Sequence, residues 1–203
     1  RGHDRRPQRV AGQQARGILT RDVIYMSKRW MQRLWSWDCC FNAVGLASAH
    51  PDLAWDQLMI LVDKQDPGGA FFDCIDDQNM VWNFAKPPIH GWALREMRRR
   101  GPVPLDRLAE IYPPLCRWTR WWTTRRDLDG DGMCEYLHGN DSGWDNATVY
   151  DAGVPVEGPD LAAYLALQME ELGEVAALLG RGEEAAAWRA ESQAMIDRLI
   201  AHS

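Results

Sequence analysis

The chain of 203 residues has no apolar run of bilayer length, no excess of positive charge and no paired spacing of cysteines. A membrane-spanning helix needs about 20 consecutive apolar residues, so no membrane segment is expected. The net charge of −6 offers no basic face for phosphates, which excludes nucleic acid as an expected partner. One local exception, Arg95 with Arg98, Arg99 and Arg100, falls at the end of a predicted helix. Cations there complement the helix dipole, and the cluster reads as a solvated terminus. The five cysteines are odd in number, with Cys39 and Cys40 adjacent and Cys74, Cys116 and Cys134 scattered, so neither a disulfide framework nor a zinc motif emerges. Buried free thiols are expected instead, which favours a cytoplasmic setting. The five histidines fall in no ligand spacing, so neither a metal nor a cofactor is expected. The chain has no secretory signal, begins at Arg1 rather than Met and ends at Ser203 inside a helical pattern, so it reads as cut at both ends.

What is present is helix. An apolar content of 46% suffices for a core of one-domain size. The segment from Asp38 to His50 reads as a helix with Asp38 as its N-cap, and Pro51 opens a second that runs to Gln65. "GAFFDCI" and "MVWNF" read as short extended pieces before Pro87 and Pro88 start a third helix, stopped by Gly101. A long aromatic helix follows from about Leu105 to Arg126, then an irregular stretch from Asp127 to Pro159. In the last third, Leu161, Leu165, Met169, Leu172, Ala176 and Leu179 recur at helical spacing. "GRG" then turns the chain into Ala185, Trp188, Met195 and Leu199, an αα-hairpin.

Six helices in antiparallel succession place the starts of the first, third and fifth at one end. The segments that precede them, "WSWD", "FAKPPIHGW" and "NDSGWDNA", hold the polar and aromatic residues, which therefore gather on one face. Eleven tryptophans sharpen the reading, because Trp35, Trp37, Trp92 and Trp144 lie in or beside those segments. An indole offers a flat apolar face for sugar C–H groups and one N–H donor, while neighbouring Asp, Asn and His bond hydroxyls. Carbohydrate is the expected ligand. Trp118, Trp121, Trp122 and Trp188 are expected to fill core.

"LWSWDCCFNA", "KPPIHGWAL", "RDLDGDGMCEY", "SGWDNA" and "PDLAAYLALQM", in this order, resemble glycoside hydrolase family 63, whose members include α-glucosidases and mannosylglycerate hydrolases. Trehalases are similar in the "SGWD" element. The resemblance runs from about residue 34 onward and implies an all-α (α/α)6 toroid, roughly half of it present as antiparallel hairpins, in one partial domain over residues 1–203. It further implies inversion at an α-linked glucosyl or mannosyl bond, with Asp145 as general acid and the base in a downstream segment. Asp141 stands where members often carry Glu.

Within this frame Trp144 is expected as a sugar platform, Asn146 and Asp141 as polar partners, and Trp37 and Asp38 as further sugar contacts. Lys86, His90 and Gln65 are lesser candidates, since a Lys or His at a helix start often caps or packs. Asp127, Asp129 and Asp131 alternate as in a calcium loop, but the twelfth position is His138 rather than Glu, so a solvated Asp/Gly turn is expected. Two functions remain open at this point. One is a glycosidase catalytic domain; the alternative is a non-catalytic helical-toroid module that binds carbohydrate or a partner without turnover.

Overall fold

A computed structural model describes residues 12–202. Six helices dominate them: α1 (Asp38–Leu46), α2 (Pro51–Asp63), α3 (His90–Arg100), α4 (Leu105–Arg125), α5 (Pro159–Leu178) and α6 (Gly182–Ala201). Five two-residue strands fill the connections. β1 (Leu34–Trp35) pairs antiparallel with β2 (Cys74–Ile75), which pairs with β3 (Met80–Val81). β4 (Glu135–Tyr136) pairs antiparallel with β5 (Val156–Glu157). None of the helices among the described residues is long and apolar enough to cross a membrane.

The odd-numbered helices form an inner row: α1 packs on α3 and α3 on α5. The even-numbered helices flank them, α2 against α1 and α6 against α5, so the chain is a succession of hairpins. The all-α expectation holds, and among the described residues the helices do not close a barrel. Close approach of α3 to α5 depends on Gly91, where an added Cβ would meet the side-chain oxygen of Gln168 at 2.7 Å and its Cα at 2.9 Å. The Gly91 N–H instead donates to that oxygen. The core runs through all six helices, with Trp118, Trp122, Tyr112 and Tyr136 among its largest fully buried side chains. Trp188 is buried and donates to Tyr112 Oη at 3.0 Å, whereas Trp121 is only half-buried, with the Arg126 guanidinium 5.3 Å from its ring centre.

Helix boundaries depart from expectation at two starts. Trp37, not Asp38, occupies the cap position of α1, and Asp38 is its first helical residue, where a carboxylate still complements the dipole. The third helix begins at His90 rather than at the prolines, because Lys86 and Pro87 each precede a proline and such residues avoid the helical region. The arginine cluster is paired rather than merely solvated. Arg95 meets Glu170 at 2.9 Å, Arg99 and Arg100 meet Glu96 at 2.7 and 2.8 Å, and Arg98 reaches the buried carboxylate of Glu171.

Candidate active site

The segments that lead into α1 and α3 converge on the loop that follows β4, and the start of α5 meets β4 itself, where Tyr136 Oη donates to Asp160 Oδ2 at 2.9 Å. The loop opens with a turn of 3-10 helix, Gly139–Ser142, capped by His138, whose Nδ1 accepts from Asn140 N at 3.0 Å. Ser142 Oγ donates to Gly139 O at 2.7 Å and accepts from Trp144 N at 3.0 Å. Between them Gly143 adopts φ +73°, the left-handed region, and closes the turn. A Cβ there would lie 2.3 Å from Cζ2 of Trp37, so the Trp37 ring lies directly against the glycine. That indole contacts Phe41 edge-on at 5.5 Å, and Phe41 lies 5.6 Å from Trp92. Beyond the glycine the chain emerges: Trp144 is 63% exposed, Asp145 and Asn146 are exposed, and residues 143–147 line a shallow hollow of about 390 Å³.

Asp141 belongs to the buried base of this loop. Its Oδ1 accepts from Ala85 N at 3.1 Å, while Oδ2 accepts from Arg126 Nη1 at 2.9 Å and Leu137 N at 3.0 Å. Both oxygens are engaged by the protein itself, so the residue expected among the sugar's partners is an anchor in this structure. The guanidinium that meets it is 13% exposed and lies over the rings of Trp121 and Trp122.

The other candidates divide in the same way. Asp38 is half-buried at the start of α1. Burial raises its pKa, nearby Lys86 opposes the shift and the Asp145 charge adds to it, which places all three groups in one electrostatic neighbourhood. Lys86 is buried, and its Nζ donates to the Asn140 carbonyl. His90 is a core residue. Its Nε2 faces Ser36 O at 2.8 Å and Nδ1 accepts from Trp118 Nε1 at 3.2 Å, so both ring nitrogens are committed and burial pushes its pKa down to about 4. Gln65 fastens the end of α2 to α4. Its Nε2 donates to Gly69 O at 2.8 Å and Pro114 O at 2.9 Å, and its Oε1 accepts from Arg117.

Two features went unread in the sequence. Asp73, inside "GAFFDCI", is buried 3.7 Å from Lys86 Nζ, with its pKa raised by burial against the opposing Lys86 charge. A larger hollow, about 920 Å³, is lined by Tyr25, residues 27–33, Trp35 and residues 76–79, with residues 12, 13 and 16 beside them, and Trp30 on its rim is 90% exposed. Trp30 sits in a turn in which Ser27 N donates to Met31 O at 3.0 Å and Ser27 Oγ accepts from Trp30 N at 3.3 Å.

Among the described residues, side chains with metal-ligand chemistry gather in two places. Sulfurs of Cys39 and Cys40 lie near the His90 ring, whose nitrogens are already bonded as described. Carboxylate oxygens of Asp127, Asp129 and Asp131 lie within 4.8 Å of one another, and the cluster continues from Asp129 to Glu135 and Glu157 and from Asp131 to Glu157 and His202. There, Asp127 Oδ1 accepts from Gly130 N at 2.9 Å, Asp131 Oδ1 from Met133 N at 2.7 Å and Asp129 Oδ1 from Asp131 N at 3.3 Å, the bonding of an Asp/Gly turn.

Known proteins share both sequence and fold with this chain. Mannosylglycerate hydrolase MGH1 of Selaginella moellendorffii is 25% identical over 165 residues, which is 70% of this chain and 33% of that protein. Glucosylglycerate hydrolase of Mycolicibacterium hassiacum is 28% identical over 151 residues, 59% of this chain and 34% of the relative. The chain thus spans about a third of the length of these curated relatives. In fold it is similar to the glycoside hydrolase family 63 mannosylglycerate hydrolase of Thermus thermophilus in complex with glucose. The TM-score is 0.74 at 19% identity, over 91% of this chain and 60% of that one. The family model of the mannosylglycerate hydrolase MGH1-like glycoside hydrolase domain matches residues 31–202, and the chain belongs to that family.

Proposed function

We propose that this chain supplies the acid-bearing wall of an inverting glycoside hydrolase that cleaves an α-linked glucosyl or mannosyl bond, with Asp145 as the proton donor. The observation that carries the reading is the presentation of Asp145, exposed between Trp144 and Asn146 at the tip of a loop whose base is buried. An inverting site needs two carboxyl groups about 6.5 to 9.5 Å apart, one protonating the leaving oxygen while the other activates water on the opposite face. The second carboxylate is assigned to the family's length beyond the span matched here, residues 1–203 forming part of a single catalytic domain.

On this reading Trp144 stacks on a sugar ring, Asn146 bonds a hydroxyl, and Trp37 and Asp38 supply further sugar contacts. The names of the relatives point to the leaving group: mannosylglycerate and glucosylglycerate carry an alkoxide of poor leaving ability, for which proton donation counts most. The test is Asp145→Asn in a protein carrying the family's full length. Turnover of glucosylglycerate or mannosylglycerate should fall by roughly 10² to 10⁴, and turnover of the matching glycosyl fluoride much less, because fluoride departs with little protonation. Near-normal turnover of the glycerate glycoside by the variant would remove Asp145 from the role.

A further inference from the structure

Lys86 is 6% exposed, and a buried ammonium group demands compensation. Its arrangement is unusual for a charge that merely neutralises another. The Nζ donates to the neutral backbone carbonyl of Asn140, while the nearest carboxylate oxygen, Asp73 Oδ1, lies 3.7 Å away and has no hydrogen-bond partner among the described residues. The ammonium group is therefore seated toward the loop and leaves its counter-charge at arm's length. Its chain neighbour acts on the neighbouring residue of that loop, since Ala85 N donates to Asp141 Oδ1 at 3.1 Å. Two successive residues, 85 and 86, thus grip two successive residues, 141 and 140.

The grip ends where the loop turns outward. Gly143 rests on the Trp37 ring, and Asp145 follows two residues later. Residues 140 to 143 lead directly into the exposed carboxyl, whose own backbone carbonyl lies close to Gly139, so whatever fixes this segment bears on the position of the acid. A displacement on the order of 1 Å of a catalytic group can cost about a hundredfold in rate.

We propose that Lys86, with Asp73 as its counter-charge, is a positioning residue for the proton donor: it fixes the backbone of the acid's loop at Asn140 and is not itself a sugar ligand. The inference rests on the assignment of Asp145 as the acid. It also accounts for the placement of Asp73, whose carboxylate faces the buried ammonium group at 3.7 Å without drawing it off the carbonyl.

The experiment compares leaving groups in a protein carrying the family's full length. Lys86→Met keeps an apolar stem reaching to Cε and removes the ammonium group. On a glycerate glycoside its kcat should fall by about 10- to 100-fold with KM nearly unchanged, and on the glycosyl fluoride it should stay within a few-fold of the parent. Lys86→Arg, which retains a donor cation, should recover part of the loss. Asp73→Asn should reproduce the same selectivity to a smaller degree. Equal losses on both substrates would reduce Lys86 to a structural ion-pair member, and a raised KM at unchanged kcat would make it a sugar ligand; either overturns the proposal. If circular dichroism shows that Lys86→Met does not fold, the ratio of the two substrates in Lys86→Arg and Asp73→Asn decides by the same criterion. Asp145→Asn run in parallel separates the two readings. Leaving-group selectivity in that variant but not in the Lys86 series sinks positioning alone, and its absence in Asp145→Asn sinks the acid and the positioning with it.

Discussion

Asp141 and Asp145 sit four residues apart in one loop and are treated by the fold in opposite ways. The base of the loop is held like core: Asp141 is buried, both of its oxygens are engaged, and the cation that meets it lies over the rings of two tryptophans. The tip is held by almost nothing of its own, and its carboxylate, amide and indole face outward. The difference is a division of labour within a few residues, in which long-range polar contacts fix the base so that the tip can keep its functional groups free. A reacting group gains nothing from being satisfied by the protein, whereas the segment that carries it must be.

The sharpest way to break this contrast is Asp141→Ala. It leaves Arg126 buried without its partner and two backbone donors unmet, and should cost about 3 to 5 kcal/mol in urea unfolding. A loss below about 1 kcal/mol would mean that the base is not anchored as described.

A second prediction concerns His90, which packs beneath the start of α3. Its folded pKa of about 4 lies below its ordinary 6.5, so the unfolded chain takes up a proton that the folded chain refuses. Stability should therefore fall as pH drops from about 6.5 to 4, by up to about 3 kcal/mol from this residue. The half-buried Asp38 and buried Asp73 are shifted upward and act in the opposite sense at acid pH. The His90 contribution is thus read as the difference in the slope of unfolding free energy with pH between the parent and His90→Asn. An unchanged slope would place His90 outside the buried set.

The smallest effect completes the comparison. Asp145→Asn, so damaging to turnover on the proposed mechanism, should alter unfolding free energy by no more than about 0.5 kcal/mol, as befits an exposed side chain. A large destabilisation would show that the tip is structural after all.

The helices were legible because their information is local. Leu161, Leu165, Met169, Leu172 and Ala176 recur at the helical period, and all are buried along α5. The candidate site was legible only as a neighbourhood. Alternation of hairpins brought Trp37, Asp38, Lys86 and the Trp144–Asn146 segment to one end, as their places before helix starts implied. What each side chain does there depends on partners tens of residues away, which no local pattern records. Asp141 and Asp145 are both expected at the sugar, and only Arg126 and Ala85, found around Asp141, make it an anchor. His90 reads as a polar residue at a helix start, yet Trp118 and Ser36 draw it into the core. Asp73 is a lone acid in an apolar run, and only its approach to Lys86 gives it meaning.

The contact between Gly143 and Trp37 has a consequence for how these positions can change over time. An added methyl at 143 would intrude on the Trp37 ring, so a larger residue there cannot be accepted before residue 37 shrinks. Shrinking residue 37 first would remove the floor beneath the loop and leave its left-handed turn unsupported. Neither step is neutral alone, so two positions more than a hundred residues apart in sequence are bound to vary together or not at all.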